Sequence, residues 1–116
     1  MNIAIIGLGY WGPNLVRNFS AIKEVKKIIC CDNNQKRLSL IKLKYPSVET
    51  VSDFDQLLKH YSFDALIIST PVGSHYKFAK AALNAGKHVW VEKPFTGSSK
   101  NAEDLINLSE KKNLKL

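Results

Sequence analysis

Three glycines near the start of the chain have the spacing of a phosphate-binding loop. Gly7, Gly9 and Gly12 form the pattern G-x-G-x-x-G directly after a short apolar run. The intervening residues are Leu8, Tyr10 and Trp11. In such a loop the first glycine allows a tight turn, the second lets the backbone approach a pyrophosphate, and the third lets helix and strand pack closely. The free N–H groups at the start of the next helix favour the same anion. The loop therefore predicts binding of a dinucleotide.

An acidic residue follows the glycine loop at the distance expected for recognition of a ribose. Asp32 lies 20 residues after Gly12, at the end of a second apolar run, and its carboxylate is suited to accept both hydroxyls of an adenosine ribose. Capping of the following helix is an alternative role. A carboxylate repels a 2′-phosphate, and Asn33 follows it, so NAD is favoured over NADP. Lys36 and Arg37 weaken this preference, and Arg37 either stacks on adenine or is solvated.

Further polar residues follow two other apolar runs. Thr70-Pro71 ends one run, His75 lies in the first turn of the next predicted helix, and Glu92-Lys93-Pro94 ends another run. Ligands of open α/β sheets bind outside the carboxyl ends of the strands, which is where all of these residues are predicted to lie. Taken singly, such a histidine or lysine is usually a solvated surface residue.

Taken together, these motifs resemble the Gfo/Idh/MocA family of oxidoreductases. The resemblance rests on the glycine loop, on Thr70-Pro71 with His75, and above all on Ala85-Gly86-Lys87-His88-Val89 with Glu92-Lys93-Pro94. It covers essentially the whole chain. The variant Gly9-Tyr10-Trp11-Gly12-Pro13-Asn14 is similar to members that act on nucleotide-linked sugars.

The resemblance implies a role for each matching residue. Gly7 to Gly12 would hold the pyrophosphate, and Asp32 the adenosine ribose. Thr70, Pro71 and His75 would contact the middle and nicotinamide side of the cofactor, and Glu92 the nicotinamide ribose. Lys93 would be the catalytic residue that hydrogen-bonds the substrate hydroxyl, and the Lys93–Pro94 bond is often cis in the family. The predicted cofactor-binding set is completed by Asn33 and Arg37, and no metal site is expected.

The resemblance also implies that catalysis requires a second domain. Family members continue into a substrate-binding α/β domain that supplies an Asp and a His for proton transfer. We interpret residues 1–116 as the dinucleotide-binding domain, without that C-terminal domain and inactive alone. The whole enzyme would transfer a hydride between a nicotinamide cofactor and a secondary hydroxyl of a sugar, nucleotide-sugar or cyclitol. The alternative is a non-catalytic module that senses nucleotides or binds proteins.

Positioning these residues requires strands and helices in alternation. Apolar runs predict strands at Ile3–Ile6, Ile28–Cys31, Val48–Val51, Ala65–Ile68 and His88–Val91. Helical patterns follow them at about 13–22, 34–44, 53–58, 74–85 and 98–112. The resulting fold class is α/β, with a doubly wound, mostly parallel, Rossmann-like sheet of five to six strands. Leu114–Leu116 is expected to open a last, truncated strand.

Composition limits the remaining possibilities. The chain has 116 residues, 45% of them hydrophobic, which suffices for the core of one domain. Its formal net charge is +7, but the basic residues form no aromatic-basic stripe, so nucleic acid is not an expected partner. No apolar run is long enough for a membrane span. Cys30 and Cys31 are read as small apolar fillers, which favours a reducing, cytoplasmic location. An incomplete sheet edge predicts a homo-oligomer.

Overall fold

Five parallel strands form a single sheet in the computed structural model, which describes all 116 residues. The strands are β1 (Asn2–Ile6), β2 (Lys27–Cys31), β3 (Glu49–Val51), β4 (Ala65–Ile68) and β5 (His88–Val91). Their order across the sheet is β3-β2-β1-β4-β5. β1 is central because it pairs with β2 on one side and β4 on the other. The predicted fold class and all five predicted strands are confirmed.

Five α-helices cover the two faces of the sheet. They are α1 (Gly12–Ser20), α2 (Gln35–Lys44), α3 (Phe54–His60), α4 (His75–Asn84) and α5 (Ser99–Lys111), and a 3-10 turn at Val72–Ser74 precedes α4. α1 and α2 pack on one face, and α3, α4 and α5 on the other. The sheet is therefore doubly wound, as predicted. None of these helices has both the length and the apolar composition that crossing a membrane requires.

The alternation of side chains along the central strands divides the core in two. Ile3 and Ile5 pack under α1 and α2, whereas Ala4 and Ile6 pack on the opposite face. Adjacent Cys30 and Cys31 are divided in the same way, and both are free and buried. Burial raises the pKa of each thiol to about 12. Their prediction as small apolar fillers is confirmed.

The first helix ends before the predicted residue 22, and α4 begins without a side-chain cap. The first helix ends at Ser20, because the Ala21 and Ile22 amides bond to carbonyls only three residues back, which tightens the last turn. Ile22 consequently lies outside the helix and is exposed. Ser74 occupies the N-cap position of α4 but does not cap it, since its hydroxyl bonds to the Thr70 hydroxyl and the Pro71 carbonyl.

The end of the chain lies beside β5 without forming a sixth strand. Leu114–Leu116 has no strand conformation, although the Lys115 carbonyl accepts a hydrogen bond of 2.9 Å from the Val89 amide.

The face of β5 on the side of α1 is only partly covered by other residues. Trp90 is 48% exposed there, and its ring contacts that of Phe19 at a centroid distance of 5.4 Å.

The strand ladders continue for one residue beyond the carboxyl ends of the strands. The Gly7 amide donates to the Cys31 carbonyl, the Ser69 amide to Ile6, and the Glu92 amide to Ile68, at distances of 2.8 to 2.9 Å. The residues that leave β1, β4 and β5 therefore start from fixed backbone positions at one edge of the sheet.

A polar cluster on the surface joins α4 to α5. The Tyr76 hydroxyl donates to the Asp104 carboxylate at 2.8 Å, and the Lys80 ammonium lies 2.7 Å from the same hydroxyl and 2.9 Å from Asp104. Hydrogen bonds from Lys80 and Tyr76 lower the pKa of Asp104, and those to Tyr76 and Asp104 raise the pKa of Lys80.

We predict a small, pH-dependent loss of stability in the variant Asp104→Asn. The folded state lowers the pKa of Asp104, so its contribution is complete above the ordinary value of 3.8 and is lost as the pH falls through the folded value. Urea midpoints of wild type and variant should differ at neutral pH and converge in acid, once the pH lies below the folded pKa of Asp104. Glu103→Gln, an exposed residue of α5 outside the cluster, is the control and should show no such difference.

Candidate functional site

A cleft of about 860 Å³ opens where the sheet order reverses, at the carboxyl ends of β1, β2 and β4. This is the position at which open α/β sheets bind ligands, and the volume lies within the roughly 300–1,000 Å³ of small-molecule sites. Nine of the residues predicted for a cofactor line it: Gly7, Gly9, Tyr10, Trp11, Asp32, Asn33, Arg37, Thr70 and Pro71.

Two of the three loop glycines are required by close backbone packing. Gly7 has φ of +94°, and a Cβ there would lie 2.6 Å from the Ser69 carbonyl carbon and oxygen. A Cβ on Gly12 would overlap the Gly7 carbonyl oxygen. Gly9 differs, because a Cβ there would meet nothing within 4 Å. The backbone packing of the loop therefore requires glycine at positions 7 and 12. At Gly9 the missing side chain instead leaves the space in front of the loop unoccupied.

The loop presents backbone donors without acceptors. The amide N–H groups of Gly9, Tyr10 and Trp11 donate to no backbone or side-chain oxygen of the chain. Trp11 occupies the N-cap position of α1 and provides no side-chain cap, so the start of this helix is open as well. Consecutive unpaired N–H groups at a helix N-terminus form a site for an anion such as a phosphate.

Asp32 has a buried carboxylate that holds the glycine loop. Its Oδ2 accepts from the Leu8 amide at 2.7 Å and its Oδ1 from the Asn34 amide at 2.8 Å, and the residue is 6% exposed. A carboxylate has about four lone-pair sites, so both oxygens retain acceptor capacity toward the cleft. The cap of α2 is Asn34, whose side chain accepts from the Arg37 amide. The alternative in which Asp32 caps this helix is therefore excluded.

Arg37 lies beside Asp32 in the lining of the cleft. Its guanidinium is half exposed and its Nη1 lies 3.6 Å from Asp32 Oδ2. The side chain is thus paired with Asp32 and lines the cleft at the same time. Leu8, by contrast, contributes its amide to Asp32 and buries its side chain in the core.

His75 is buried and does not line the cleft. Its Nε2 lies 2.7 Å from the Thr70 carbonyl oxygen, and its Nδ1 lies 3.0 Å from the Pro94 carbonyl oxygen. The ring thus bridges the segment after β4 and the segment after β5. Glu92 is half-buried and Lys93 exposed on that second segment, at the same sheet edge but outside the cleft lining. The Lys93–Pro94 bond is cis, as the family resemblance predicts.

Sequence reasoning missed one end of the cleft. The additional polar and aromatic residues there are Ser52, Asp53, Phe54, Asp55, Lys77 and Phe78. The first four follow β3, whose carboxyl end lies at the same edge as those of β1 and β4. This signal was available in the sequence, because these residues directly follow the predicted strand Val48–Val51. Asp53 also caps α3, since its side chain accepts from the Gln56 amide at 2.8 Å.

The fold and the glycine loop define a dinucleotide-binding domain of the Rossmann type, and comparison with known families agrees. Residues 1–116 match the GFO_IDH_MocA model, described as an oxidoreductase family with an NAD-binding Rossmann fold. The chain belongs to this family.

Several characterised proteins are similar to the chain. UDP-N-acetylglucosamine 3-dehydrogenase of Acidithiobacillus ferrooxidans is 31% identical over 121 residues, which cover 100% of this chain and 36% of that enzyme. Myo-inositol 2-dehydrogenase of Lactobacillus plantarum superposes with a TM-score of 0.87 at 25% identity, covering 96% of this chain and 33% of that structure. An Agrobacterium radiobacter oxidoreductase, solved with NAD⁺, L-tartaric acid and magnesium, has a TM-score of 0.91 at 25% identity, covering 98% and 33%. The aligned part of the chain covers 20% to 36% of the length of the first curated relatives that it matches.

We predict that the three loop glycines differ in their tolerance of alanine. Gly7→Ala and Gly12→Ala should each reduce the free energy of unfolding by more than about 1 kcal/mol, because the new Cβ meets backbone and, at Gly7, φ is positive. Gly9→Ala should change it by about 0.5 kcal/mol or less, since its surroundings are open. Urea denaturation measures all three, and equal losses would contradict the separation of roles.

Proposed function

We propose that the chain is the NAD-binding domain of a dehydrogenase that oxidises a secondary hydroxyl of a sugar, nucleotide-sugar or cyclitol. The observation that carries this proposal is the glycine loop, whose unpaired amides and open Gly9 face the same cleft as the Asp32 carboxylate. Membership of the oxidoreductase family supports the reaction type.

The residues of the cleft fit a dinucleotide in one direction. The pyrophosphate would lie against the amides of Gly9, Tyr10 and Trp11, where a side chain on residue 9 would intrude. The adenosine ribose would bond to the free lone pairs of Asp32, and adenine would lie toward Phe54 and Phe78. The nicotinamide end would then extend past Thr70 and Pro71 toward the segment that carries Glu92 and Lys93.

When bound, the nicotinamide supplies the carbon that accepts the hydride. In our proposal Glu92 binds the nicotinamide ribose, and the Lys93 ammonium holds the substrate hydroxyl by a hydrogen bond. A secondary hydroxyl must also lose its proton, and no residue of the chain matches the Asp and His that serve this purpose in the family. We therefore propose that this domain acts with a substrate-binding domain and is inactive alone, which the greater length of its relatives supports.

The substrate class is inferred from the relatives. One is a UDP-N-acetylglucosamine 3-dehydrogenase and another a myo-inositol 2-dehydrogenase. Both names denote oxidation of a ring hydroxyl on a polyhydroxylated molecule.

We also propose that the protein is a cytoplasmic homo-oligomer. The two free buried cysteines support the location, and the partly uncovered face at Trp90 supports the self-association. Light scattering over a range of concentrations tests the self-association.

We predict that NADH binds the chain and quenches the emission of Trp11. Trp11 lines the cleft and Trp90 does not, and the chain has no other tryptophan. Energy transfer from tryptophan to NADH weakens with distance, so the quenching should be stronger in Trp90→Phe, which retains Trp11, than in Trp11→Phe, with NADH affinity measured separately by calorimetry.

Gly9→Val is the control for this experiment. A Cβ at residue 9 meets no atom within 4 Å, so folding should be retained, and the valine side chain should occupy the space in front of the loop and lower NADH affinity about tenfold or more. NADH binding to wild type that is no tighter than binding to Gly9→Val would refute the proposed site.

We also predict that wild type prefers NADH to NADPH and that Asp32→Asn reduces the preference. The amide retains one oxygen for a backbone N–H, but it lacks the charge that repels a 2′-phosphate. The ratio of the two dissociation constants should shift toward NADPH by about tenfold. Calorimetric titration of both cofactors into both proteins measures the shift. An unchanged ratio would show that Asp32 does not lie near the 2′ position.

A further inference from the structure

His75 is one of three buried polar residues of the chain, and its side chain contacts the segments that follow β4 and β5. It is 1% exposed at the first position of α4. Its Nε2 lies 2.7 Å from the Thr70 carbonyl oxygen, and its Nδ1 lies 3.0 Å and 3.3 Å from the carbonyl oxygens of Pro94 and Phe95. No other side chain hydrogen-bonds both segments.

The partners of the ring can only accept hydrogen bonds. A neutral imidazole has one N–H and donates to one segment, whereas an imidazolium donates to both. Removal of the ring would take away the contact that these carbonyl groups share, which allows the two segments to move apart.

The two segments have different relations to the cleft. Thr70 and Pro71 line it, and Thr70 is further fixed by a 2.7 Å hydrogen bond between its hydroxyl and that of Ser74. Pro94 and Phe95 do not line it, but they directly follow Lys93, whose side chain is exposed at the neighbouring strand end. A displacement of Thr70 would therefore be transmitted to Lys93 through the imidazole ring, which contacts both the Thr70 carbonyl and the carbonyls that follow Lys93.

We propose that His75 is a positioning residue that transmits occupancy of the Thr70–Pro71 end of the cleft to the segment Glu92–Phe95. A dinucleotide that contacts Thr70 and Pro71 then sets the backbone that carries Lys93, without contact between His75 and the ligand. The inference rests on the proposed dinucleotide function, and it assigns His75 a different role from direct contact with the nicotinamide.

Two substitutions of His75 each remove one of the two contacts that the ring makes with the segments. Glutamine places an amide nitrogen near the position of Nε2 and retains the bond to Thr70, whereas asparagine places one near Nδ1 and retains the bond to Pro94. The control is Tyr76→Phe, which removes a hydroxyl from the next residue of α4 and weakens the contact to α5 but leaves His75 intact.

The experiment is a titration of the isotope-labelled chain with NADH, followed by the backbone amide signals in NMR spectra. In wild type and Tyr76→Phe, NADH should shift the amides of the glycine loop and also those of Lys93 and Phe95. In His75→Gln and His75→Asn the glycine-loop shifts should remain, and the shift at Phe95, to which the proposal assigns no contact with NADH, should be lost. The Lys93 amide lies at the proposed nicotinamide end and is expected to shift in every variant. Persistence of the Phe95 shift in either histidine variant, or its loss in Tyr76→Phe, would overturn the role of His75.

Failure of the proposed function gives a different result. Wild type would then show no NADH-dependent shift in the glycine loop, which removes the basis of both proposals. If the histidine variants do not fold, wild type alone decides the question. The ring nitrogen signals of His75 should then move with the amides of Lys93 and Phe95 along one binding curve, and a ring that stays unchanged while those amides move would refute the coupling.

Discussion

The arrangement of the site depends on the close approach of backbone to backbone at Gly7. This residue leaves β1 with a positive φ, and its missing side chain lets the chain after β4 pass within van der Waals distance. The same residue's carbonyl lies against Gly12, so the start of α1 is packed onto the end of β1. One point of contact thereby fixes the glycine loop, the first helix and the Thr70–Pro71 turn relative to each other. The cleft is the space that remains in front of this contact.

Asp32 has a structural role at the same carboxylate oxygens to which we assign binding of the ribose. Its carboxylate accepts from the Leu8 amide and so joins β2 to the glycine loop before any ligand is present. Burial of a carboxylate is unfavourable unless it is hydrogen-bonded, and here two amides and the Arg37 guanidinium satisfy it. The site is thus organised in advance, so that a ligand does not have to supply the energy of ordering the loop. Substitutions at Asp32 are for this reason expected to change the stability of the domain as well as the proposed cofactor preference.

Much of the fold could be predicted from sequence because its signals are local. Apolar runs of four or five residues identify buried parallel strands, and glycine spacing identifies the turn from β1 into α1. The end of the first helix could not be predicted, because Ile22 continues the helical pattern while the last turn tightens before it. The burial of His75 between the segments that follow β4 and β5 was also not predictable. Its partners Thr70 and Pro94 are five and nineteen residues away, and only the packing of α4 between them brings their carbonyls to the ring.

The two adjacent thiols have a practical consequence for solution work. Cys30 and Cys31 lie on opposite faces of β2, fully covered, and with pKa values near about 12 they are almost entirely protonated at neutral pH. Alkylating reagents attack the thiolate and need access to it, so neither sulfur reacts while the sheet is closed. The rate of alkylation therefore measures how often β2 separates from its helices. A cysteine introduced on the surface would accept a dye selectively, with the native pair left unmodified.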